Sequence, residues 1–493
     1  MIGTFYEKLM APFLRSTRIF YKYFDEEYTY GRAYSLMKII NHTLNRNNKN
    51  RKKIVVYGGK SFPVYCAIYS IILSDNVWIP ITPGIPPDRL MAMMELLHPD
   101  IFLYEEEIPQ GVVESAGKIK MEVISLTDVA ERKESMDFEM CKYSPNDWAY
   151  VMFTSGSTGV PKGVPMTHLN YINFINNAME ILPFQKGEIF SDYHDFAFDI
   201  SIFYIFCAPL TEGTIAPIRK KEERMFPLNH IQKNKITVWS SVPSVIACIQ
   251  RLRPAGKLEN SIRIMFLCGE PFSLSILKYC YENLDIKEVY DFYGLTETGV
   301  ENFYHHCSID DLERFREKGF VPIGRPLKGN DIKVTEEKEL LLSGCQVTPG
   351  YLGNIEQGRF ETIEGDRWYH TGDIVEKFED VYFCKGRIDS QVKISGHRIE
   401  LMDIEVHIKQ FPGIKEAICF VTEQTMGVKR LACAVETQDQ ADTVIPGLEG
   451  WLRGKLPEYM VPKVIHHIKA MPTNNNGKID RKAIREMFSQ GAR

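Results

Sequence analysis

Continuous apolar runs alternate with amphipathic stretches along the first three hundred residues of the chain. Residues 54–82 read as an apolar strand, a glycine turn, a helical stretch and a second apolar strand. That is the grammar of a βαβ unit, and "VWSSVPSVIACIQRL" and "IRIMFLCGEPFSLSILKYCYENL" repeat it. Strands as uniformly apolar as "RIMFLCG" suit a parallel sheet covered by helices on both faces. From about residue 320 the pattern shortens into pieces such as "DIKVTEEKELLLSG" and "VEKFEDVYFCKGR", which read as antiparallel hairpins. A second change follows "GRID" at 386–389. The last hundred residues contain a helix, two strands and a helix, enough for a small α+β domain with its own core and a boundary near 389.

With 493 residues, 44% of them hydrophobic, the chain can bury a large core divided among two to four domains. A net charge of -5 argues against a protein that coats nucleic acid or an anionic membrane. The densest basic runs, "RKK" at 51–53 and "RKKEER" at 219–224, read as solvated surface. Eleven cysteines occur without metal-ligand spacing, mostly in apolar company, as small buried hydrophobes of a reducing compartment do. The longest apolar run, around 200–210, is too short to span a bilayer, and no signal peptide is evident. A cytoplasmic location is expected.

The densest chemistry lies in "YVMFTSGSTGVPKGVPMTH" at 150–168, where hydroxyls, glycines and Lys162 crowd behind an apolar run. Glycines let backbone N–H groups approach an anion, hydroxyls add donors and a lysine adds charge. The spacing is not that of a Walker A loop, because Lys162 follows Pro161 and precedes Gly163. Four further segments accompany it in order: "FYGLTETG" (292–299), "YHTGD" (369–373), "GRIDSQVKISGHRIEL" (386–401) and "NGKIDRKAI" (476–484). Together they resemble the adenylate-forming superfamily of amino-acid adenylation domains, acyl-CoA synthetases and luciferases. The upstream "FDEEYTYGRAYSLMKIINHTL" extends the resemblance over nearly the whole chain.

The resemblance implies an α/β fold: a large N-terminal core (1–388) of two βα subdomains plus a distorted β-barrel, and a small mobile α+β domain (389–493). It further implies ATP and Mg²⁺. Thr154, Ser155, Gly156, Ser157, Thr158 and Lys162 would cradle the departing phosphates, with Gly269, Glu270 and Phe292 also lining the nucleotide site. Tyr293 would stack on adenine, Thr296 hold the α-phosphate, Glu297 hold Mg²⁺, and Asp373 and Arg387 hold the ribose. Lys478 would bridge the substrate carboxylate and the α-phosphate, whose approach and developing charge a lysine stabilises.

"HDFAFDISIFYIF" carries Asp199 inside an apolar run. By itself such a carboxylate reads as a helix cap near the surface. "FDxS" also resembles the mark of amino-acid adenylation domains, whose aspartate pairs with the substrate ammonium. The matching pocket positions are Ile200, Phe203, Ser240, Phe266, Cys268, Phe292, Val300 and Glu301, and three phenylalanines imply a small side chain. Cys268 and Val300 resemble D-alanine–carrier-protein ligases, whereas Phe203, Phe266, Phe292 and Glu301 depart from that pattern. D-alanine, L-alanine, glycine, proline and a β-amino acid therefore stay open, and Glu301 either meets a second amine or points to solvent. No phosphopantetheine-attachment serine follows Lys478, so a separate carrier protein is the expected acceptor, with rotation about Asp389 serving the two half-reactions. The alternatives are an acyl- or aryl-CoA synthetase and a catalytically inactive scaffold.

Overall fold

In the computed structural model, residues 2–45, 51–132, 137–138, 140–156, 161–253, 255–354, 358–389, 391–423, 429–437, 441–472 and 479–489 are described. The chain divides into two compact units. One comprises Met1–Pro83, Leu96–Met152 and Gly163–Ile388; the other comprises Gly84–Glu95, Phe153–Lys162 and Asp389–Arg493.

The first unit is built on two mainly parallel sheets. Strand Lys53–Tyr57, helix Phe62–Ile72 and strand Val77–Ile81 form the βαβ unit that the sequence pattern implies, with the two strands parallel. Ser61 starts that helix by accepting from the Val64 N–H, and Pro63 occupies an early position where no donor is needed. In the larger sheet, strands Ile189–Asp192, Val238–Ser241, Ile264–Cys268 and Glu288–Tyr293 lie side by side and parallel. Every residue of Ile264–Cys268 is buried, as a strand covered on both faces requires. A single core joins helices Phe62–Ile72 and Ser201–Leu210 with residues of both sheets. The later hairpins form an antiparallel sheet in which Asp366–Phe378 pairs with Glu339–Gly344, Phe360–Ile363 and Val381–Arg387.

In the second unit, helix Leu401–Lys409, strands Ile414–Glu423 and Lys429–Thr437 and helix Ala441–Arg453 match the sequence pattern. A hairpin, Gln391–Ile394 with His397–Glu400, precedes them. Strand Val464–Ile468 then adds to Lys429–Thr437 in parallel, and helix Arg481–Ser489 follows. Ile399, Ile404, Ile408, Cys433, Leu448 and Leu452 form this unit's own core. Among the described residues no helix is long and apolar enough to cross a membrane.

One buried ion pair joins the first unit's two sheets. Lys60 Nζ, just beyond strand Lys53–Tyr57, lies 2.7 Å from Asp192 Oδ1 at the end of strand Ile189–Asp192, and it also donates to the Asp192 carbonyl at 2.9 Å. The Tyr65 hydroxyl donates to Asp192 Oδ2. Burial pushes the Lys60 ammonium down and the Asp192 carboxyl up, and each charge opposes the shift of the other. Replacing one partner strands the other charge in the core, which costs about 3–5 kcal/mol. Lys60→Met is therefore expected to melt well below the wild type, and adding Asp192→Leu should recover much of the loss. Equal melting of Lys60→Met and wild type in a calorimetric scan contradicts this account.

Candidate active site

Side chains from the carboxyl ends of the parallel strands gather in the first unit, the place where open α/β sheets bind ligands. Parallel register puts Ser240 beside Phe266, and Cys268 beside Phe292. Helix Ser201–Leu210 brings Phe203 onto this row. The three phenylalanines stack on one another. Phe203 and Phe266 have centroids 4.2 Å apart, and Phe266 and Phe292 lie 4.3 Å apart. All three are buried, so the stack is a closed apolar floor.

Polar groups rim that floor. The Cys268 thiol hydrogen-bonds the Glu301 carboxylate; burial first, then Glu301, Asp199 and Asp291, pushes the thiol far up and keeps it neutral. Glu301 is only 4% exposed, so the expectation that leaves it pointing to solvent is set aside by burial. The charge of Asp199 acts on Cys268 and on the buried Tyr150 hydroxyl, and so belongs to the same cluster. The surface-cap reading of Asp199 does not describe this site: the helix starts at Ser201, and its N-cap position, held by the buried Ile200, makes no side-chain cap bond. Ser240 Oγ is buried and has no hydrogen-bond partner among the described residues.

A second cluster surrounds "FYGLTETG". The Tyr293 hydroxyl donates to Asp373 Oδ2, and Arg387 Nη1 reaches Asp373 Oδ1 at 2.7 Å. Asp373 and Arg387 are register partners in the antiparallel sheet, so strand pairing itself aligns carboxylate and guanidinium. Burial and the Asp373 charge push the Tyr293 phenol far up. Thr296, Glu297 and Thr298 form a 3₁₀ turn, and the Glu297 Oε1 accepts from the Tyr351 hydroxyl at 2.9 Å. A buried carboxylate oriented by a phenol offers the hard oxygen that Mg²⁺ takes. Gly269 adopts a positive φ of 79°, and Glu270 Oε2 accepts from Ser244 N at 3.2 Å.

In the second unit, Thr154 ends strand Trp148–Thr154, and Lys162, which is buried, opens strand Lys162–Thr167. Ser155 Oγ donates to the Arg398 carbonyl at 3.2 Å and accepts from Glu400 N at 3.1 Å, while Gly156 is buried beside it in the chain. Asp389 Oδ1 accepts from Gln391 N at 3.1 Å. Ser157, Thr158 and Lys478 lie outside the described residues. Sequence reasoning missed Tyr150, Tyr351 and Gln346. Tyr351 sits in the Gly- and Pro-rich "TPGYLG", a loop signal that could have drawn attention to it.

The AMP-binding enzyme family model matches residues 14–352, and the AMP-binding enzyme C-terminal domain matches residues 403–478. The chain belongs to the AMP-binding enzyme family. Among its relatives is the D-alanine–D-alanyl carrier protein ligase of Lactococcus lactis subsp. lactis, 30% identical over 93% of this chain and 94% of the relative. The ligase of that name from Staphylococcus epidermidis is 27% identical over 94% and 95%. Solved structures share the fold, two of them as follows. The Vibrio cholerae adenylation domain AlmE, in complex with glycyl-adenosine-5'-phosphate, superposes with a TM-score of 0.80 at 21% identity, covering 99% and 97% of the two chains. The o-succinylbenzoate CoA synthetase MenE of Bacillus subtilis gives 0.82 at 18% identity, covering 98% of each.

A neutral, enclosed thiol resists alkylation. In the native protein near neutral pH, iodoacetamide is expected to label the exposed Cys384 well before the buried Cys268, as read by peptide mass spectrometry. Equal labelling rates for the two contradict the geometry of the pocket.

Proposed function

We propose that this family member activates a small amino acid with ATP and passes it to the phosphopantetheine thiol of a separate carrier protein. The observation that carries the reading is the row of three stacked phenylalanines next to the buried Cys268, a neutral thiol that the charge of Asp199 reaches. A carboxylate there meets an ammonium group, and the floor leaves room for a small side chain. The relatives named as D-alanine–D-alanyl carrier protein ligases support the same substrate class and the carrier partner.

In the first half-reaction a substrate carboxylate oxygen forms a bond to the α-phosphorus as the bond to pyrophosphate breaks. Lys478 offsets the charge gathered there, and Thr296 donates to the α-phosphate. Thr154, Ser155, Gly156, Ser157, Thr158 and Lys162 hold the departing phosphates. Tyr293, Asp373 and Arg387 orient adenine and ribose, with Gly269, Glu270 and Phe292 beside them. Glu297 would hold Mg²⁺, which supplies positive charge to the phosphate oxygens when bound. In the second half-reaction the carrier thiolate attacks the acyl carbon, forming a C–S bond as the C–O bond to AMP breaks. The small domain swivels at Asp389 between the two.

ATP–pyrophosphate exchange over a panel of amino acids and their deamino counterparts tests the reading. Exchange is expected with small amino acids such as alanine and glycine, and Phe266→Ala should shift it toward larger ones. Exchange with propionate as efficient as with alanine would favour the second reading, a CoA synthetase like the fold neighbour MenE. Asp389→Pro should impair adenylation and thioester formation unequally, as single-turnover measurements of each would read. An equal loss in both removes the swivel.

A further inference from the structure

The turn that joins the two clusters is backbone under constraint. Gly299 and Val300 both have positive φ, 76° and 77°, and for a β-branched residue that region is costly. Such a conformation persists only where its surroundings hold it. Gln346, fully buried, lies behind it. Its side-chain Nε2 donates to the carbonyls of Gly299 and Glu301, each at 2.8 Å, with the Thr298 carbonyl at 3.3 Å. Two amide hydrogens serve these carbonyls, the two short bonds being the principal ones. On its other side, Gln346 Oε1 accepts from Asn173 Nδ2 and Asn330 Nδ2, both at 2.8 Å. Those two donors decide which way the amide faces. Asn330 in turn accepts from Asn302, whose amide accepts from Thr298 Oγ1 and donates to the Thr298 carbonyl.

Gln346 therefore grips the turn on both sides of Val300. Thr298 follows Glu297 directly, and Glu301 is the carboxylate beside Cys268. The segment behind the turn holds Glu297 as well: Thr348 N donates to the Glu297 carbonyl at 2.8 Å, and Tyr351 reaches its carboxylate. A side-chain amide that fixes three carbonyls in four residues sets the direction in which both acidic side chains leave the backbone.

We propose that Gln346 is a positioning residue that couples the Mg²⁺–nucleotide carboxylate, Glu297, to the acid pocket at Val300 and Glu301. The proposal rests on the adenylation reading above. It distinguishes Gln346 from an ordinary core residue, whose loss lowers stability without moving two separate binding sites together.

The test compares wild type with Gln346→Leu, a side chain of similar volume without the amide. Mg²⁺-dependent ATP binding is measured by calorimetry, and amino-acid KM by ATP–pyrophosphate exchange. Both are expected to weaken by roughly tenfold or more, because hydrogen bonds that fix the turn are lost. Asn173→Ala, which withdraws one donor from Gln346 Oε1 outside the turn, should move both in the same direction by less. Folded Gln346→Leu protein with either quantity unchanged overturns the proposal. Should Gln346→Leu fail to fold, Asn173→Ala decides: a joint shift supports the coupling, and no shift or a shift in one alone overturns it. A wild type that exchanges with no amino acid defeats the adenylation reading instead. Calorimetry then still judges Gln346, because unchanged Mg²⁺–ATP affinity in the variant overturns its role and weakened affinity sustains it.

Discussion

A Cβ atom on Gly294 would sit 2.1 Å from the Val300 carbonyl oxygen and 2.5 Å from the Glu301 Cα. The chain leaves its sheet at Tyr293, turns through Thr296–Thr298 and returns across Gly294 at a distance only glycine allows. That close crossing places the cluster around Glu297 and the cluster around Cys268 and Glu301 on one short segment. Tyr293 and Glu297 join the cluster of Asp373 and Tyr351, Glu301 joins Cys268, and a few residues of backbone separate them. The parallel sheet supplies the platform, and the crossing makes its carboxyl edge a single site.

The phenylalanine stack and its polar neighbours follow from the same edge. Parallel register aligns Ser240, Phe266, Cys268 and Phe292 on neighbouring strands, and Phe203 closes the row from the following helix. Stacked rings at van der Waals separation leave no gap between them, so a group seated against them meets filled volume. Polarity comes from the rim, where burial keeps Cys268 a neutral donor to Glu301. The nearby trio His305, Cys307 and Asp311 also clusters, within 4.8 Å, but Asp311 Oδ2 already accepts from His305 and from Ser308 N. It secures a turn.

Much of this was legible from residue order. The unit at 54–82 reads as βαβ because its apolar runs are continuous and its turn carries two glycines. Two of the five motifs, "FYGLTETG" and "YHTGD", meet in the fold through Tyr293 and Asp373, while Ser157, Thr158 and Lys478 of the others lie outside the described residues. Strand Val464–Ile468 was not legible, since "VIHHI" is short and carries two histidines. The stacking of the three phenylalanines was not legible, because pairing register is a property of neighbouring strands, invisible within any one of them. Gln346 and Tyr351 reach the turn at 297–301 through bonds that span 45 to 54 positions, which no local pattern encodes.

The central claim is that the pocket at Asp199 recognises an amine on an activated acid. Calorimetric binding of two non-hydrolysable acyl-adenylate mimics, the alanyl and the propionyl sulfamoyl-adenosines, tests it most directly. They differ by one amino group. A charge-assisted contact in an enclosed site is worth about 1.5–3 kcal/mol, so the alanyl mimic should bind roughly ten- to a hundredfold more tightly. Asp199→Ala should erase the difference. Equal affinity of the two mimics for the wild type would contradict the account.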